Sequence, residues 1–454
     1  MTAPSTGPSR IPTRALARAR RSQRRAAATD TEPGPVTEAS AHLFAPIPAA
    51  APTDPPGPTI VLLNDCRDQV NYGAEALVDG LLRILADRLP DATIRPIPSH
   101  WLIDATYGFS AFVDGGTGMR QPDVRYPAVA DAFERVADDW LAGRGGPDVG
   151  EVLGRIEGAD VVVLNGEGSV YRTNASAVRE LFLAWLAKER LGIPTVYVNG
   201  GLHLTDVMPV LNGMVRKTFA CLDAVAVREP RSLRNAHEYV PTVDVQLFPD
   251  SAFVFTPDDA LESDAVAAVR HRIGDAPYFC FDPGPMRMDA GRGGASTLHR
   301  LITTLKEGGS QAVLVCSAPA DAYMTDIAAE TGSLYVDTIL DYREFMALTA
   351  TAQFLVSGRY HNPILAAVVG CPSITLASTN HKVHGACEML DGVLGAPYDS
   401  TYLVPELAEI AQRAQGYARD RAAWGDRLRA ICAQRRTEAM GIGDLVDRVA
   451  RGRT

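Results

Sequence analysis

The sequence predicts an α/β protein of two Rossmann-like, doubly wound domains facing a central cleft, with a disordered N-terminal tail. Three observations carry this. From Thr59 onward, short runs rich in Val, Ile and Leu alternate with amphipathic stretches of helical period, the pattern of βαβ units and parallel sheets. The alternation breaks once, over Val243–Phe255, and then repeats. Most of the apolar runs end in polar loops carrying Gly, Asn, Glu, Arg or His, which suits the carboxyl ends of strands, where open α/β sheets bind ligands.

The 454 residues exceed one core of ordinary size. Composition and pattern divide them into a basic, Pro- and Ala-rich tail (1–58), a first domain (59–250), a second domain (251–400) and C-terminal helices packing back across both (401–454). The tail carries Arg10, Arg14, Arg18, Arg20, Arg21, Arg24 and Arg25 and no acid before Asp30. It lacks the apolar segment of a signal peptide, although an organellar transit peptide shares its composition. A solvated tail is expected. The stretch from Arg14 to Arg25 would also suit peripheral contact with an anionic membrane surface. A net charge of −10 argues against a general nucleic-acid binder. No apolar run approaches the roughly 20 residues of a membrane helix. The seven scattered cysteines fit reduced thiols and a cytoplasmic location.

In the first half, the strand at Thr59–Leu63 leads through a polar loop to Asn71 and Gly73 at the entrance of a helix over Ala74–Leu89. Backbone donors there, with the helix dipole, can hold an anion or sugar hydroxyls. Gly73 can equally be present for backbone freedom alone. A strand over Ala92–Ile97 runs into a long segment, 100–125, with Trp101, Tyr107, Phe109 and Phe112, whose rings could stack on sugars or pin the loop. Helices near 128–141 and 149–156 precede the strand Asp160–Leu164. Its loop, Asn165-Gly166-Glu167-Gly168, matches neither a P-loop nor a dinucleotide fingerprint. Gly166 and Gly168 let a ligand approach the backbone. Glu167 is either a carboxylate for acid–base work or a cap for the helix starting near Asn174. A helix over 177–191, a strand over 195–199 and a helix near 207–219 follow. After the strand Ala224–Val227, Arg228 can reach the crevice, whereas Arg231 is expected to face solvent.

The second half places a helix at Asp264–Ile273, strands at 278–281, 312–316 and 333–336, and a Gly-rich loop over 282–294 with Arg287 and Arg292. Helices at 297–307, 321–330 and 342–351 separate them. The run Phe354–Val356 reads as a buried strand, turning at Ser357-Gly358 into an apolar helix that stops at Gly370-Cys371-Pro372. Arg359 and His361 sit at that turn. Arg offers a planar fork for phosphate or carboxylate, and His exchanges protons near neutral pH. A last strand over 373–376 is followed by a polar loop with His381, Lys382 and His384. Without a third ligand nearby, His381 and His384 are not expected to hold a metal.

Two facing α/β halves make a GT-B-like arrangement. The order of signals resembles the polysaccharide pyruvyl transferase family over about residues 59–395. The matching pieces are Asn71-Tyr72-Gly73-Ala74-Glu75-Ala76-Leu77, the Gly-Glu-Gly loop at 166–168, and Val227-Arg228-Glu229 with Ser232. Asp250, Ser357-Gly358-Arg359-Tyr360-His361, Gly370-Cys371-Pro372 and Lys382 complete them. Tyr360, Asn362 and the Asn before the Gly-Glu-Gly loop depart from the usual pattern. The resemblance implies transfer of pyruvate from phosphoenolpyruvate, a co-substrate, to two hydroxyls of a sugar or glycan acceptor as a ketal, in cell-surface or exopolysaccharide biosynthesis. The acceptor could be lipid-linked. It implies a clamp of Arg228 and Arg359 on the donor, His361 as general acid and base, and Glu167 acting on the acceptor hydroxyl. Asn71, Gly73, Gly166, Gly168, Ser357 and Lys382 would line the substrates. No metal or cofactor is expected. A GT-B glycosyltransferase using a nucleotide sugar is the alternative, and a non-catalytic sugar- or anion-binding relative is a third reading.

Overall fold

Six parallel strands form the first sheet: β1 (Thr59–Asp65), β2 (Thr93–Pro98), β3 (Val161–Asn165), β4 (Thr195–Gly200), β5 (Ala224–Val227) and β6 (Val245–Leu247), in the order β2-β1-β3-β4-β5-β6. Five more form the second: β7 (Tyr278–Asp282), β8 (Gln311–Val315), β9 (Leu334–Val336), β10 (Leu355–Ser357) and β11 (Ser373–Thr375), in the order β11-β10-β7-β8-β9. The molecule is known from a computed structural model. It describes residues 57–69, 71–99, 126–284, 294–377, 380–400 and 403–452. Most of the basic tail, the aromatic segment 100–125, and Arg287 and Arg292 lie outside the described residues.

Both sheets reverse their strand order once, and those switch points are where α/β sheets open a crevice. In the first sheet the reversal falls between β1 and β3, which end at Asp65 and Asn165. In the second it falls between β7 and β10, whose last residues, Asp282 and Ser357, are in register. The central strands are buried on both faces, so their sequences read as unbroken apolar runs. The short strand β6 lies inside the crossover, where the sequence pattern shows none. Three residues with a polar Gln246 at their centre give too little alternation to register.

The helix Tyr72–Arg88 ties the halves together. Leu77, Leu81, Ile84 and Leu85 pack with β1 in the core of the first domain. Tyr72 and Ala76 enter the core of the second, where the Tyr72 ring stacks on Phe345 at 4.9 Å. The C-terminal helix Gly441–Ala450 returns to the first domain and buries Ile442, Leu445, Val446 and Val449 against the same helix. Among the described residues, no helix is long and apolar enough to cross a membrane.

Candidate active site

Arg228 is the first residue past β5, and its amide donates to the Gly200 carbonyl at 3.1 Å. The strand end therefore fixes where its side chain begins. Its guanidinium turns inward, and Nη1 donates to Asp250 Oδ2 at 3.0 Å, with the side chains 1% and 0% exposed. His361 opens the helix His361–Val368 beyond β10, in the second domain, and its Nε2 lies 3.5 Å from the same Oδ2. Between them, the Tyr360 ring lies under the Arg228 guanidinium, 3.9 Å from its carbon, and meets the His361 ring edge-on at 4.9 Å. One buried carboxylate from the crossover thus gathers a guanidinium from one domain and an imidazole from the other.

Three polar atoms in this cluster, Arg228 Nε, His361 Nε2 and the Tyr360 hydroxyl, are buried without a hydrogen-bond partner among the described residues. Leaving a buried polar group unpaired costs about 1–3 kcal/mol. Gathered in one cluster, the three are available to a bound ligand. Burial pushes the Asp250 carboxyl up, but His361, Arg228 and the Ala252 amide outweigh it and hold it below its ordinary value. Burial pushes the Tyr360 phenol well up against the pull of Arg228, so its hydroxyl stays a donor. The Arg228 guanidinium remains charged: burial opposes this, but Tyr360 and the Asp250 carboxylate outweigh it.

Glycines make room for these groups. A Cβ on Gly73 would sit 2.7 Å from His361 Nδ1 and 3.0 Å from its Cβ. A Cβ on Gly168 would sit 3.3 Å from Arg228 Nη2. Gly73→Ala is therefore expected to displace the imidazole. It should destabilise the fold by about 1–3 kcal/mol, the usual range for overpacking. A larger fractional loss should appear in transfer than in folded protein, read by a melt beside a turnover assay.

The other sequence-predicted residues divide into neighbours of this cluster and residues that build its frame. Glu167 stands on its loop at φ +39°, a strained conformation for a non-glycine residue. It does not cap the helix Ala175–Trp185, because the Asn174 side chain accepts from the Ala177 amide at 2.9 Å. Its charge acts on both Arg228 and Lys382. Burial lowers the Lys382 ammonium below its ordinary value; Glu167 opposes this, while Arg228 and Arg359 add to it. Arg359 is already forked: Nε donates to Asp282 at 3.1 Å and Nη2 to Asp321 at 2.7 Å. Among the described residues, its Nη1 makes no hydrogen bond. Asn71 caps the helix Tyr72–Arg88, and its side chain takes the Gly73 amide at 3.0 Å, so that amide is spent locally. Ser357 is fully buried and accepts from the Arg359 amide at 3.1 Å, shaping the turn. Gly166 leaves space for the Tyr197 ring, into which a Cβ would collide.

Several contributors were not assigned a role from sequence. Asp250 is one. Asp282 is another: its carboxylate accepts from Asn362 at 2.8 Å, Gly284 at 3.0 Å and Arg359, and also from Ser317. Asn64, Asn165 and Asn199 bond to one another at the ends of β1, β3 and β4, and Asn64 and Asn199 have φ of +65° and +58°. Asn165 leads directly into the Glu167 loop, and an Asn at the end of each of three apolar strands is the signal that could have found them. Arg231, expected at the solvent face, donates to Glu388 of the second domain at 2.8 Å. His381 does not turn to His384 but to His203, at 2.9 Å between Nδ1 atoms.

A family model described as polysaccharide pyruvyl transferase matches residues 71–380. The span takes in Asn71, Gly73, Glu167, Arg228, Asp250, Arg359 and His361; Lys382 lies just beyond it. No curated protein matches the sequence. Among solved structures, the UDP-GlcNAc 2-epimerase of Neisseria meningitidis bound to UDP-GlcNAc is similar with TM-score 0.52 and 11% identity, over 86% of this chain and 99% of its own. UGT71G1 of Medicago truncatula complexed with UDP-glucose is similar with TM-score 0.51 and 11% identity, over 87% of this chain and 98% of its own. A putative UDP-N-acetylglucosamine 2-epimerase of Listeria monocytogenes gives 0.51 and 13%, over 83% and 94%. At such identities the likeness concerns the fold, a two-domain GT-B type.

Proposed function

The chain belongs to the polysaccharide pyruvyl transferase family, and from that premise we propose that it transfers pyruvate from phosphoenolpyruvate to two hydroxyls of a sugar or glycan, as a ketal. The observation that carries this is the convergence of Arg228 and His361 on one Asp250 oxygen, with Arg228 Nε and the Tyr360 hydroxyl buried without a hydrogen-bond partner among the described residues. The proposed donor has a phosphate and a carboxylate on three carbons. Arg228 Nε, the Tyr360 hydroxyl, Lys382 and Arg359 Nη1 are donors for those two anionic ends. Because Asp282 and Asp321 hold two nitrogens of Arg359, that residue contributes through its remaining edge and through its charge.

His361 gives a proton to the methylene carbon, which becomes the methyl group, and a positive centre develops at the adjoining carbon. One acceptor hydroxyl attacks there and the second displaces phosphate, so two C–O bonds form, while the π component of the C=C bond and the bond from that carbon to the phosphate oxygen break. Of the two hydroxyl protons, one replaces that given by His361 and the other leaves with phosphate. Glu167, on the loop beside Arg228, orients the acceptor hydroxyl or takes its proton. The setting is cell-surface or exopolysaccharide biosynthesis in the cytoplasm. A lipid-linked acceptor would bring the enzyme to the membrane, with the basic tail assisting.

The purified protein should release inorganic phosphate when given phosphoenolpyruvate and a panel of sugar diols. It should release no nucleoside diphosphate when given UDP-glucose or UDP-GlcNAc with the same panel. Release of nucleoside diphosphate without phosphate would transfer the assignment to a nucleotide-sugar glycosyltransferase. Binding of either donor without any turnover would favour a non-catalytic relative.

A further inference from the structure

The cluster described above is nearly closed, with Arg228 and Asp250 at 1% and 0% exposure and Tyr360 and His361 at 3% and 6%. Side-chain contacts between the two domains lie beside it, among them His203 to His381, His381 to Glu229 and Arg231 to Glu388. One of them has an unusual proton requirement. His203, on the loop after β4, meets His381 of the second domain Nδ1 to Nδ1 at 2.9 Å, with the rings 4.8 Å apart and edge-on. The other face of His381 puts Nε2 at 3.4 Å from Glu229 Oε1. Glu229 is 1% exposed and fixed, accepting from the Arg231 and Ser232 amides at 3.0 and 3.2 Å and from the Ser232 hydroxyl. A Cβ on Gly385 would collide with its carboxylate, so glycine there lets the two domains close.

An Nδ1–Nδ1 hydrogen bond needs one N–H and one lone pair. It forms when both imidazoles are neutral or when one is charged. It cannot form between two imidazolium rings, which present N–H to N–H and repel. The next residue in the chain is Lys382, whose amide is held by the Asn380 side chain at 3.1 Å. Lys382 opens its helix beside the charges of Glu167, Arg228 and Arg359.

We propose that His203 and Glu229 are positioning residues that grip His381 across the cleft while at least one imidazole of the pair is neutral, and so hold Lys382 over the anion site. The role given to Lys382 rests on the function proposed above; the grip itself does not. The charged and titratable groups facing the pair are Glu229 for both rings, His384 beside His381, and Arg228 and Tyr360 behind Glu229. Arg231 and Glu388 face His384 in turn. Burial and His381 lower the His203 imidazole below its ordinary value of 6.5, with Glu229 opposing. A lowered value means that the separated state takes up protons first. The grip is therefore complete above the ordinary histidine value and is lost as pH falls through the lowered one.

Two measurements on the full chain test this. Side-chain 15N spectra near neutral pH should show one hydrogen-bonded Nδ1 proton shared by His203 and His381, absent in His203→Ala. Calorimetry with phosphoenolpyruvate should show affinity falling in acid for the wild type. In His203→Asn, whose amide can still donate to His381 but does not titrate, neutral-pH affinity should be kept and the acid loss attributable to the pair removed. His203→Ala should bind about tenfold more weakly at neutral pH. Equal behaviour of the Asn and Ala variants, or wild-type affinity and profile in both, would overturn the proposal. Absence of the shared proton would overturn it too, whatever the donor proves to be. If the wild type binds no phosphoenolpyruvate while the shared proton is present, the donor assignment fails and the grip stands.

Discussion

Replacing His361 with alanine is expected to abolish pyruvate transfer while leaving donor binding largely intact. The imidazole is the one group of the cluster that can both give and take a proton near neutral pH, and its loss should cost at least the ~10²–10⁴-fold typical of general acid–base catalysis. Donor affinity should survive because the anion-binding groups, Arg228, Tyr360, Lys382 and Arg359, are untouched. Asp250 should also survive the change, since Arg228 still holds its Oδ2 at 3.0 Å and the Ala252 amide its Oδ1 at 2.9 Å. Phosphate release from phosphoenolpyruvate at saturating acceptor, set beside calorimetric donor affinity, separates the two effects. An alanine variant with wild-type turnover would end the assignment. A variant that turns over slowly and also fails to bind donor would move His361 from proton transfer to binding.

Arg228→Ala should be among the most damaging substitutions to the fold as well as to activity. It strands the Asp250 carboxylate, fully buried, with the His361 imidazole and the Ala252 amide as its remaining neighbours among the described residues. Removing one partner of a buried ion pair costs about 3–5 kcal/mol, because the other charge stays desolvated. Removing both should recover much of that. Arg228→Ala/Asp250→Ala is therefore expected to melt well above Arg228→Ala alone and still to bind no donor. The pH dependence has a definite sign. In the wild type, the Asp250 value is lowered, so its contribution to stability is present above the ordinary carboxylate value of 3.8 and is lost as pH falls through the lowered one. In Arg228→Ala, burial acts with less opposition and raises the carboxyl, so its deficit against wild type should narrow on acidification. Parallel melting curves for the single and double variants would contradict the buried-pair account.

What the sequence reveals of this molecule follows the physical range of the interactions involved. The turn carrying Arg359 and His361 was legible because an apolar strand, a small-residue turn and an apolar helix adjoin in the chain. Arg228 was legible because it is the first residue after a strand. The partners of these groups were not, because burial and folding bring them from far away. Arg359 is held by Asp282 and Asp321, which lie 77 and 38 residues from it. His203 and His381 meet across 178 residues. Nothing local marks Arg359 as already paired, or Glu229 as the carboxylate behind His381. Asn71 and Gly73 show a different limit. Their spacing suggests an anion site at a helix N-terminus, yet the cap is closed by Asn71 itself, and the use of Gly73 is to leave room for an imidazole from the other domain. At Glu167 the structure removes the capping alternative, since Asn174 takes that role.

The central claim is that a guanidinium and an imidazole, joined through Asp250 across the domain boundary, serve phosphoenolpyruvate together, the first by holding an anionic end and the second by giving it a proton. Calorimetric titration of phosphoenolpyruvate and of UDP-GlcNAc into the wild type and into Arg228→Ala/Asp250→Ala tests it most directly. The account predicts that phosphoenolpyruvate binds the wild type, that the double variant folds and does not bind it, and that UDP-GlcNAc binds neither. Undiminished binding of phosphoenolpyruvate to the folded double variant, or binding of UDP-GlcNAc in its place, would contradict it.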